Sequence, residues 1–139
     1  MAVTAKDVNR LRQMTGAGMM DCKKALVEAD GDFEAAIEIL RKKGQKISAK
    51  RADRDAKEGA IFIAANADNS HAALIELNCE TDFVARNDDF QGMGTKIAEL
   101  ALKESPADLD ALKGLSMDGS TVADLLTDAM GRIGEKIDV

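Results

Sequence analysis

The sequence predicts an α+β fold, in which an N-terminal three-helix bundle is followed by a β-hairpin packed with helices. Three observations carry that prediction. Apolar residues recur at helical spacing in three short segments before residue 44. The period changes to that of a strand over residues 60–65 and 71–78, on either side of the turn-forming Asn66-Ala67-Asp68-Asn69-Ser70. Beyond Asn87 the helical period returns, interrupted at Ser105-Pro106 and at Asp118-Gly119.

In the first helix Thr4 is placed to cap, with Asp7 three positions on as a weak capping box, and Gly16 stops it. Val8 and Leu11 give this helix its apolar edge. The second helix starts near Gly18, aligns Met19, Cys22 and Leu26 on one face, and ends at Asp30-Gly31. Asp32 caps the third, where Phe33, Ala36, Ile37 and Leu40 recur. Arg41, Lys42 and Lys43 then sit at its negative end, ahead of the expected stop at Gly44. Three helices of this length with turns this short make a bundle of the ubiquitin-associated type.

Met19 and Met20 project about 100° apart on a helix, so the expectation is one buried methionine and one exposed, adaptable contact. Gly16 and Gly18 belong to no nucleotide-binding loop pattern, and a tight turn between helices accounts for them. Residues 45–58 are polar with interleaved charge, as in a linker or a solvated helix. The expected division is therefore a bundle over 1–44, a linker over 45–58 and an α+β portion over 59–139.

In the second strand Ile75, Leu77 and Cys79 share one face, with Leu74 and Glu76 on the other. His71, the single histidine, has no second histidine or nearby cysteine and is read as a surface residue. Between this strand and the next helix lies TDFVARN, residues 81–87. Two readings of it stay open. In one, Thr81 caps a helix, Asp82 favours its positive end and Phe83 folds inward. In the other, Phe83 is a presented apolar knob with a charge beside it, shaped to enter a pocket on another protein. Phe90, Ile97, Leu100 and Ala101 then mark a helix to about Lys103, and Leu109, Leu112 and Leu115 a short helix or collapsed turn. Thr121 with Asp124 resembles a further cap, opening a helix that ends around Gly134. Ile137-Asp138-Val139 looks like the opening of a strand, and a two-stranded hairpin is marginal without more strands or helical cover. The α+β portion is therefore expected to be truncated at its C-terminus.

Charge and composition narrow the function. Residues 1–58 carry a net +3 and residues 59–139 a net −9, within a total of −6. That pattern, with no aromatics other than four phenylalanines, argues against nucleic acid and for a protein partner. No apolar run approaches the roughly 20 residues of a membrane span, and no apolar h-region marks export, so a cytoplasmic location is expected. Cys22 and Cys79 lack metal-site spacing and read as free thiols rather than a disulfide. No paired catalytic constellation is apparent, which makes an enzyme the remote alternative.

Three stretches carry a resemblance to a known family. TGAGMMDCKKAL at residues 15–26 and NCETDFVARN at 78–87 are similar to the two signatures of bacterial elongation factor Ts. IGEK at 133–136 is like that family's usual IGEN, with Lys136 in place of asparagine. The resemblance implies a nucleotide exchange factor for the translational GTPase elongation factor Tu, requiring no cofactor, metal or catalytic residue of its own. It also implies that Asp82 and Phe83 enter between helices of the GTPase domain, near the magnesium and phosphate end of the nucleotide site. Thr81 and Val84 of the same motif, and Arg12, Met19, Met20 and Lys23 of the bundle, are then placed on the partner-binding surface. The family's members continue past this point into further core and dimerisation segments; oligomeric state stays open. The bundle alone supports a second reading, a ubiquitin-associated-like protein-binding module without exchange activity, which leaves Asp82 and Phe83 without a role.

Overall fold

Seven helices and two small antiparallel hairpins form the computed structural model, which describes residues 2–139. Helices α1 (Ala5–Thr15), α2 (Met19–Glu28) and α3 (Phe33–Arg51) come first. Strands β1 (Glu58–Ala65) and β2 (Ala72–Cys79) follow, then α4 (Asp82–Ala85), α5 (Asp88–Glu104) and α6 (Leu109–Gly114). A two-residue-strand hairpin, β3 (Ser116–Met117) and β4 (Ser120–Thr121), leads into α7 (Val122–Ile133).

The caps act where the sequence puts them. The Thr4 hydroxyl accepts the Asp7 N–H at 3.2 Å while the Asp7 carboxylate accepts the Thr4 N–H at 3.0 Å, closing a reciprocal box. Hydrogen bonding by Thr4 holds the Asp7 carboxyl below its ordinary range. Asp32 and Thr121 accept from Ala35 N–H at 2.8 Å and Asp124 N–H at 3.1 Å, opening α3 and α7.

Two buried clusters result. Leu11, Cys22, Leu26 and Ala36 fill the bundle; Phe62, Leu77, Phe90, Ile97, Val122 and Ile137 lie in the larger cluster beneath the hairpin. β1 and β2 pair antiparallel, with Phe62 opposite Ile75 and Ala60 opposite Leu77 on the inner face. Ile61, Ile63 and Leu74 point outward and are exposed. Asn78 forms an isolated antiparallel bridge with Asp138, through N–H···O bonds of 2.7 and 3.1 Å. Cys22 and Cys79 are free thiols, buried in different clusters.

Two expectations are corrected. Met19 and Met20 are both exposed, by 53% and 61%. The inward positions near the start of α2 are taken by Ala17 and Cys22. The third helix does not stop at Gly44 but continues to Arg51, so residues 45–51 take the helical of the two alternatives open for that stretch. Gly44 is buried where α3 crosses α7: a Cβ there would lie 3.7 Å from the Thr127 carbonyl oxygen, and one on Gly131 would lie 3.3 Å from the Gly44 Cα. The tighter of the two positions is Gly131, whose Cβ would press on the Gly44 backbone, and Gly44 ends nothing. Arg51, in the last turn, donates to the Met130 carbonyl oxygen at 3.2 Å and ties the same crossing.

Candidate functional site

The turn between β2 and α5 is fixed from both ends. Thr81 caps α4, its hydroxyl accepting the Val84 N–H at 3.4 Å. Asn87 caps α5, accepting the N–H groups of Asp89 at 2.9 Å and Phe90 at 3.4 Å. From α5 the Gln91 amide reaches back to donate to the Ala85 carbonyl oxygen at 2.6 Å. Ala85 is buried and Val84 is half-buried against the larger cluster. With those two neighbours turned inward, the helical rotation sends Phe83 out.

Phe83 is 84% exposed, whereas the other three phenylalanines are buried or half-buried. The capping part of the inward reading is therefore right and its packing part is not: α4 is capped by Thr81, and Phe83 stands in water. A fully solvated phenyl ring forgoes roughly 1.5–3 kcal/mol that burial would supply. Asp82 beside it is exposed and pairs with Arg86 one turn on, at 3.6 Å.

On the bundle, Arg12 lies near the end of α1, and Met19, Met20 and Lys23 lie on α2; all four are exposed. The three α2 residues fall within an arc of about 100° and make an apolar strip with one cation. Val27, also exposed, extends that strip and was missed because it follows the motif rather than belonging to it. Thr81 is half-buried and Val84 faces the core, so of the TDFV residues only Asp82 and Phe83 present most of their surface.

A second missed group lies behind the turn. The Glu135 carboxylate accepts the N–H of Glu80 at 3.1 Å, the N–H of Thr81 at 2.9 Å and the Thr81 hydroxyl at 2.7 Å. Lys136 N–H donates to the Glu80 carboxylate at 2.8 Å, and Arg54 donates to both its oxygens at 3.2 Å. The Lys136 backbone bond, with Arg54 second, holds the Glu80 carboxyl below its ordinary range. Burial, followed by the Glu135 charge, raises the Cys79 thiol, whose S–H donates to the Thr81 carbonyl oxygen at 3.1 Å. The available signal for this group was the IGEK stretch, but its partners lie more than 50 residues back in sequence.

Among the described residues no cluster of His, Cys, Asp or Glu is arranged to hold a metal ion. No helix among them is long and apolar enough to cross a membrane. His71 is exposed, its Nε2 lying 3.4 Å from the Ser105 hydroxyl.

Residues 80–139 match the profile of the family described as Elongation factor TS. The chain is 57% identical over 137 residues to an elongation factor Ts of Amoebophilus asiaticus, covering 99% of this chain and 50% of that protein. Identity is 58% over 137 residues to the elongation factor Ts of Christiangramia forsetii, covering 99% of this chain and 49% of that protein. To that of Prosthecochloris aestuarii it is 52% over 141 residues, with the same two coverages. The chain thus spans about half the length of these curated relatives.

Proposed function

We propose that the chain, which is similar to elongation factor Ts proteins over nearly all of its length, is a member of that family and acts as a guanine nucleotide exchange factor for elongation factor Tu. The observation that carries this reading is Phe83, a large apolar side chain 84% exposed on a turn capped at both ends. A disordered knob would have to be ordered on binding, and that ordering subtracts from affinity; this one is already held. Phe83 is the wedge and Asp82 its polar partner, entering between helices of the GTPase domain at the magnesium and phosphate end of the nucleotide site. Arg12, Met19, Met20 and Lys23 form the second contact, where exposed methionines adapt to an apolar surface and the two cations set its orientation.

The work is done by linkage rather than by chemistry. A protein that binds the nucleotide-free GTPase more tightly than the GDP-bound form weakens GDP by the same factor. A ten-thousandfold weakening corresponds to about 5.5 kcal/mol of differential binding. One buried aromatic anchor supplies on the order of 2–4 kcal/mol in protein interfaces, so the wedge and the bundle contact together reach that scale.

The test follows release of a fluorescent GDP from elongation factor Tu in excess unlabelled nucleotide. Adding the chain is expected to raise the release rate in a saturable manner. A rate equal to that of the GTPase alone, at all concentrations of the chain, would refute the reading.

A further inference from the structure

We propose that Glu135 is a positioning residue for the wedge: by fixing the backbone of Glu80 and Thr81 it sets where Phe83 stands. The inference rests on the exchange reading above and concerns how that site is held.

The Thr81 hydroxyl has one proton, and it goes to the Glu135 carboxylate at 2.7 Å. That direction leaves an oxygen lone pair free to accept the Val84 N–H, the bond that caps α4. Glu135 therefore selects the hydroxyl orientation the cap needs. Its other oxygen takes the N–H groups of Glu80 and Thr81, which follow β2 where the chain turns away from the hairpin. The Thr81 carbonyl oxygen is engaged as well, by the Ala85 N–H at 3.2 Å and the Cys79 thiol. Only Asp82 stands between this fixed residue and Phe83 along the chain, so a shift at Thr81 becomes a shift of the ring.

Lys136 extends the hold to the segment joining the bundle to the hairpin. Its ammonium donates to the carbonyl oxygens of Ala52 at 2.7 Å and Arg54 at 3.0 Å. The residue that departs from the family's asparagine thus bonds the end of α3 to the base of the wedge. Hydrogen bonds to a charged group are the stronger kind, and three of them converge on one carboxylate at Glu135.

Glu135→Ala and Glu135→Gln in the full chain, each with and without Phe83→Ala, test the role. Glu135→Ala is expected to lower the saturating GDP release rate by roughly tenfold, equivalent to ~1.4 kcal/mol. Glu135→Gln, which keeps an oxygen toward the two N–H groups, is expected to restore most of it. In the Phe83→Ala background both effects should vanish, because the positioned ring is gone. A purely structural loss lowers the active fraction equally in both backgrounds, and that result would overturn the proposal. If Glu135→Ala does not fold, Glu135→Gln carries the same comparison, with a smaller loss again confined to the Phe83 background. Amide hydrogen exchange at Thr81 and Val84 gives a readout free of the GTPase: protection should fall in the Glu135 variants, and unchanged protection would equally overturn the proposal. If the wild-type chain itself failed to release GDP, the exchange reading would fail, whereas normal exchange by the Glu135 variants would remove the positioning role alone.

Discussion

Phe83→Ala is expected to lower exchange on elongation factor Tu by roughly thirtyfold or more, the size of a 2 kcal/mol interface anchor. Its melting midpoint should barely move. The ring is 84% exposed and belongs to neither buried cluster, so truncation leaves no cavity. Surface substitutions of this kind stay within about 0.5 kcal/mol. Parallel measurements of GDP release and thermal unfolding separate the two effects. Normal exchange together with a collapsed transition would show that Phe83 acts as core.

Gly94→Ala should do the opposite, damaging the fold without touching the wedge. Alanine in the middle of α5 gains about 1 kcal/mol of helix propensity over glycine. Against that, its Cβ would lie 2.2, 2.3 and 2.5 Å from three atoms of the Phe62 ring. Phe62 is buried beneath the hairpin, with its ring 6.5 Å from that of Phe90, so it has little room to yield. Overpacking a core at this level costs about 1–3 kcal/mol, and three such contacts place this site at the upper end. The clash wins. A midpoint lowered by several degrees is expected, with partial recovery when Phe62 is also shortened to leucine. A raised midpoint for Gly94→Ala alone would mean that propensity decides and that the ring moves freely.

These two residues also show how much was legible in the chain. Caps at Thr4, Asp32 and Thr121 and the alternation through Ile75, Leu77 and Cys79 are local rules, and the structure follows them. Local rules make Gly44 a helix stop; its actual neighbours in α7, Thr127 and Gly131, lie more than 80 residues away. Angular spacing says that Met19 and Met20 diverge and nothing about whether the bundle has room for either. Phe83 admits two readings in the sequence for a similar reason. Capping by Thr81 holds in both, and only the inward packing of Val84 and Ala85 decides which way the ring turns. Glu135 is visible in the sequence as one letter of a motif, but its bonds to Glu80 and Thr81 span 55 and 54 residues.

The central claim is thermodynamic, so the most direct measurement compares two affinities. The chain is titrated calorimetrically into elongation factor Tu freed of nucleotide, and into the same protein saturated with GDP and magnesium. Exchange by linkage requires much tighter binding to the nucleotide-free form, by a ratio equal to the factor by which the chain weakens GDP. A ratio on the order of a thousandfold or more is expected, reduced substantially by Phe83→Ala. Equal affinity for the two forms would contradict it, because a ligand that binds both states alike shifts nothing however tightly it binds.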